Sequence, residues 1–213
     1  KVAEFYNAGT THEWQYGSTD VGLRDNYTPV TPMYRTIMRV NQVLAGLPAA
    51  EPTRGTSDEA VRTRLEGEAL FLRAFCHFNL FRYYCDVYDP SGLAMPYMES
   101  FSIDPQARLQ MGAYFDKIKA DIEASKSLLP DNLSNKARVN RLTAVALQAR
   151  VALYMRDWAN GITYATEYIN ALPLSPRADF TGIWTDANTN EVSWRLERTA
   201  NIGGRMGSLW RGV

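Results

Sequence analysis

Residues 67–84, with the sequence GEALFLRAFCHFNLFRYY, decide the fold class of this chain. Apolar residues recur along this stretch every three or four positions, and from Leu70 onward aromatic residues also occupy the other faces. Phe71, Phe75, Phe78 and Phe81 supply most of that aromatic content. A helix that is apolar on every side is buried on every side, so the second half of this helix is predicted to lie at the centre of the domain.

Four shorter helices are predicted around this long one from the same spacing of apolar residues. One precedes it, from about residue 31 to residue 47. The long helix itself is expected to start at a capping box, in which the side chains of Thr56 and Glu59 each accept a hydrogen bond from a free backbone N–H. The other three helices follow it, at about residues 110–129, 142–155 and 157–170.

The last two predicted helices form a hairpin with a short turn. The segment DWANGI at 157–162 fits the turn of a tetratricopeptide repeat, with Asp157 as a helix cap and Gly161 at a close crossing. The inward face of the last helix is predicted to consist of Trp158, Ile162, Ala165 and Ile169. The chain is therefore predicted to be mainly α: irregular tetratricopeptide-like stacked helix pairs, an alpha-alpha superhelix with long loops.

The predicted helical body spans residues 31–172, between a loop region at 1–30 and a C-terminal region at 173–213. In the C-terminal region, Val192, Trp194 and Leu196 alternate with polar residues. That is the period of a half-buried strand, so a short strand is predicted there. The Gly-rich end of the chain carries no recognisable cap, and we expect that the chain was cut there.

Composition excludes several classes of protein. The 23 basic and 23 acidic residues balance, which is not expected of a nucleic-acid-binding surface. No run of 18 apolar residues is present, so no membrane-spanning helix is predicted. Cys76 and Cys85 are nine residues apart, a rise of roughly 13 Å on a helix, so they are predicted to be free thiols.

Residues that could carry catalysis, a metal or a cofactor are not apparent in the sequence, and none of the three is expected. His12 and His77 are the only histidines, and the position of His77 in an apolar helix favours a hydrogen-bonded interior residue over a base. No Cys/His cluster has metal-ligand spacing. Arg73 and Arg150 lie in apolar helical runs, so each is expected to tie helices together through a carboxylate or carbonyl groups.

The best candidates for ligand binding lie in the first loop region: Trp14, Tyr16, Arg24, Asn26 and Tyr27. Sugar rings present flat C–H faces that stack on Trp or Tyr, while Asn and Arg hydrogen-bond to paired hydroxyls. This combination within fourteen residues indicates a glycan or oligosaccharide ligand. The alternative is that Trp14 or Tyr27 only pins the loop to the helices.

Five stretches, in the right order, resemble the SusD-like (RagB/SusD) family. The most specific is GEALFLRAF at 67–75, and the others are Tyr34 to Leu44, Tyr114 to Ala124, Ala146 to Tyr154 and Asn190 to Trp194. The resemblance implies that residues 1–213 form a SusD-like N-terminal domain and that residues 173–213 are the start of the family's C-terminal half. The rest of that half, which supplies part of the ligand site, is absent here. One departure is Cys85, which stands where the family has a glycine.

The resemblance also implies a function. Members of the family are non-catalytic lipoproteins on the outer face of the outer membrane of Bacteroidota. They bind a glycan or another polymeric nutrient such as a peptide, and they act in nutrient uptake with a SusC-like TonB-dependent transporter. Contact with the membrane would be made only through a lipid anchor missing from this chain. The alternative is a helical-repeat adaptor that binds a protein partner and no sugar.

Overall fold

The computed structural model describes residues 29–50, 57–185 and 187–197, together with Gly17. The chain divides into two compact units: one is Met33–Arg195, and the other combines Lys1–Pro32 with Leu196–Val213. Nearly all of the described residues belong to the first unit.

The described residues form six α-helices and no strand. The helices are α1 (Val30–Gly46), α2 (Ser57–Tyr84), α3 (Met111–Leu128), α4 (Arg141–Tyr154), α5 (Trp158–Ala171) and α6 (Phe180–Trp184). The mainly α prediction is confirmed, and the bounds of α1 to α5 agree with the sequence pattern to within a few residues. Of the predicted capping box, Thr56 lies outside the described residues.

The centre of the core is α2, as its sequence predicts. Phe71, Phe78 and Phe81 are buried, and they belong to the same cluster as Phe115 on α3. Gly67 lets the first half of α2 approach the end of α3, because a Cβ there would lie 3.0 Å from the Cβ of Leu128. Cys76 and Cys85 are free thiols, as predicted.

From α2 to α5, each helix packs on the next one along the chain. The start of α4 is capped by Asn140, whose side chain accepts a hydrogen bond from the Thr143 N–H. The start of α5 is capped by Asp157, which accepts from the Asn160 N–H as predicted. Between the two helices, Arg156 adopts a positive φ of 59°, which completes the tight turn.

Two predictions about packing are wrong. Within α5 only Gly161 is buried, whereas Trp158, Ile162 and Ile169 are 60%, 68% and 54% exposed. The physical reason is that α5 meets α4 at Gly161, which lies against Ala152 and Leu153, and the large side chains lie beside this contact rather than in it. Arg150 is also exposed on α4, whereas Thr143 and Gln148 are the polar residues of that helix that are buried.

The strand predicted at residues 192–196 is not formed in the described chain. This segment is held by groups that are not part of a sheet: Asn140 Nδ2 donates to the Ser193 carbonyl at 2.7 Å, and the Arg195 N–H donates to the Lys136 carbonyl at 2.8 Å. The Trp194 ring packs edge-on against Phe71 and Phe75. The alternating pattern therefore reflects one anchored aromatic residue rather than a paired strand.

Candidate functional site

The five predicted ligand-binding residues, Trp14, Tyr16, Arg24, Asn26 and Tyr27, lie outside the described residues. Their assignment to a glycan site stays a prediction. Three surfaces of the described unit bear on function. They are the segment between α2 and α3, a groove formed by α3, α4 and α5, and a set of exposed aromatic side chains.

The segment at residues 93–100, between α2 and α3, is fixed to the helices through its backbone. Six of its carbonyl oxygens accept side-chain hydrogen bonds, among them Pro96 from Tyr34 Oη (2.8 Å), Met98 from Asn41 Nδ2 (2.9 Å) and Ala94 from Arg108 Nε (2.6 Å). Buried backbone groups outside regular structure need such partners, so these side chains let an irregular segment lie against the core.

An ion pair at the centre of this arrangement joins α2 to α3. The Nε and Nη2 atoms of Arg73 each lie 2.6 Å from an oxygen of Asp121, a bidentate geometry. Asn41 accepts from Arg73 Nη1 at 3.1 Å, and Tyr97 Oη donates to Asp121 at 2.6 Å. Arg73 therefore ties helices together, as its sequence context predicts.

His77 lies beside this pair and is fully buried. Its Nε2 accepts a hydrogen bond from the Met98 N–H at 3.2 Å, so the ring proton must be on Nδ1, which faces Tyr114 Oη at 3.1 Å. The Tyr114 hydroxyl in turn donates to the His77 carbonyl at 2.8 Å. Burial lowers the pKa of His77 to about 3. Both ring nitrogens of the neutral His77 side chain are hydrogen-bonded, so the residue has a structural role. This confirms the prediction of a hydrogen-bonded interior histidine.

A groove lies between α3 and α5, with α4 as its floor; we call it the α3–α5 groove. It encloses about 360 Å³. Apolar residues of α4 and polar residues of all three helices line it, among them Glu123, Gln148, Val151, Met155, Asp157 and Tyr164. Gln148 Nε2 donates to Glu123 at 2.8 Å across the groove floor.

Charged side chains connect α3, α4 and α5 near one end of the groove. Glu167 on α5 accepts from Arg141 on α4 at 2.6 Å and lies 3.4 Å from Lys126 on α3. The hydrogen bond from Arg141 lowers the pKa of Glu167, which is therefore ionised. The Lys126 ammonium also lies 5.7 Å from the centre of the Tyr164 ring. These contacts fix the spacing of the helices that form the groove.

Three exposed aromatic side chains lie on the last two helices. Trp158 is at the start of α5, and Phe180 and Trp184 are both on α6, with ring centres 6.2 Å apart. Trp194 differs because its ring is packed against Phe71 and Phe75 in the core. Sequence reasoning did not separate these roles, because a tryptophan that anchors a segment and one that faces solvent look alike in the sequence.

Neither a membrane span nor a metal centre is found among the described residues. No helix there is both long and apolar enough to cross a bilayer. The same residues contain no group of three or more His, Cys, Asp or Glu side chains that could hold a metal ion.

Solved structures share this fold. A SusD-like protein from Bacteroides fragilis is 18% identical and superposes with a TM-score of 0.71 over 94% of this chain and 39% of its own. Surface glycan-binding protein A from Bacteroides uniformis is 20% identical, with a TM-score of 0.65 over 91% of this chain and 42% of its own. A SusD-like carbohydrate binding protein from Bacteroides vulgatus is 22% identical, with a TM-score of 0.59 over 70% and 32%.

This chain thus spans between 32% and 42% of the length of these three structures. No curated protein matches it. The sequence model of one family, SusD-like and described as "Starch-binding associating with outer membrane", matches residues 4–153, which is most of the chain. The chain therefore belongs to the SusD-like family.

Proposed function

We propose that this protein captures glycans at the outer face of a bacterial outer membrane and passes them to a SusC-like TonB-dependent transporter. It acts without chemical change to the ligand and is held at the membrane by a lipid anchor. The observation that carries the proposal is the family match over residues 4–153, whose description combines starch binding with association with the outer membrane. The names of two similar structures, a surface glycan-binding protein and a carbohydrate binding protein, support it.

The ligand site of this proposal is built from Trp14, Tyr16, Arg24, Asn26 and Tyr27. Aromatic rings supply stacking surfaces, and the amide and guanidinium groups bind hydroxyl pairs. Binding residues in loops commonly occur in proteins that also contain a rigid body of regular structure. The helical unit is held rigid in two ways. Arg73 and Asp121 form a buried ion pair, and the segment at 93–100 is hydrogen-bonded to the helices.

A second candidate function is a protein–protein adaptor that binds no sugar. One observation favours it: the large apolar residues of α5, Trp158, Ile162 and Ile169, are exposed. Exposed apolar side chains at helical spacing commonly mark a surface that another polypeptide covers. The exposed surface fits either function, because the transporter of the glycan-binding function would itself be a protein partner of the helical unit.

Affinity electrophoresis in gels containing starch, laminarin, mannan or pectin tests the proposal. The gene product that contains these 213 residues should be retarded by at least one polysaccharide, with the polysaccharide recovered unshortened. Serum albumin in the same gels is the control. Unretarded migration throughout, with capture of a protein or peptide instead, would favour the adaptor, and shortened polysaccharide would exclude a non-catalytic role.

A further inference from the structure

We draw no further inference here: the strongest candidate, the exposed apolar face of α5 formed by Trp158, Ile162 and Ile169, is an unpartnered helix face, and nothing in the described part of the structure shows what covers it.

Discussion

The helices α2 and α5 have the same regular geometry but very different surroundings. Eleven of the 28 residues of α2 are buried, on all sides of the helix, whereas only Gly161 is buried among the 14 residues of α5. Phe71, Phe78 and Phe81 of α2 fill the core, and the large apolar residues of α5 face solvent. In this protein, α2 is therefore the part that determines stability, and α5 offers surface for contacts with other molecules.

The largest effect that this comparison predicts is at Phe78 of α2. Its side chain is fully buried and meets the rings of Phe115 and Tyr154 edge-on. Phe78→Ala should lower the free energy of unfolding by about 3–5 kcal/mol, measured by denaturant titration. The control is Phe75→Ala, which should cost less because that ring is only partly buried. Equal losses would contradict the burial pattern of α2.

The next effect concerns the ion pair between α2 and α3. Asp121→Ala should destabilise the protein by about 3 kcal/mol, because it leaves the Arg73 guanidinium buried without its partner. Asp116→Ala, which removes an exposed carboxylate from the same helix, should cost less than about 1 kcal/mol. If Arg73→Met combined with Asp121→Leu were as unstable as Asp121→Ala alone, the unpaired charge would not be the cause.

Acid should destabilise the protein through His77 of α2. Its pKa is about 3 in the folded state, below the ordinary value of 6.5, so the unfolded chain binds the proton first as the pH falls. The contribution of neutral His77 to the free energy of unfolding is fully present above pH 6.5 and declines toward pH 3. Between pH 7 and pH 5 the loss is about 2 kcal/mol. Thermal unfolding of His77→Gln across this range should show a much flatter dependence. A parallel dependence in both proteins would assign the effect to other groups.

The smallest effects are expected from two glycine-to-alanine substitutions, one in each helix. Gly67→Ala on α2 would place a Cβ 3.0 Å from the Cβ of Leu128 and should destabilise by about 1 kcal/mol. Gly161→Ala on α5 meets nothing closer than 3.6 Å, so the better helix propensity of alanine should stabilise by about 0.5–1 kcal/mol. The melting temperatures should therefore move in opposite directions, and a shared direction would contradict the contrast between these sites.

The sequence predicts which residues share a face of a helix, but it does not show what that face meets. The spacing of Trp158, Ile162 and Ile169 correctly places them together, yet their exposure depends on which side of α5 packs against α4. Arg73 and Arg150 have similar sequence contexts. Arg73 meets Asp121, 48 residues away, whereas Arg150 is exposed, and no local pattern distinguishes them.

The features that bear on function were likewise predictable from the sequence only in part. The buried roles of Arg73 and His77 follow from polar residues in an apolar helix, because such residues need partners. The α3–α5 groove was not predicted, because its acceptors come from α3, α4 and the turn before α5, and only the packing of helices brings Glu123, Gln148 and Asp157 together. The loop site at Trp14 and Tyr27 stays a prediction that rests on residue types alone.

The most direct test of the account is calorimetric titration of a bound glycan, taken from the electrophoresis panel, into the gene product that contains these 213 residues. The double variant Trp14→Ala, Tyr27→Ala should lose at least about tenfold in affinity, because stacking on aromatic rings contributes on the order of 1 kcal/mol for each ring. Trp158→Ala, which removes an exposed ring from α5, should bind like the unmodified protein. Full affinity in the loop variant, or an equal loss in Trp158→Ala, would contradict a glycan site in the N-terminal loop.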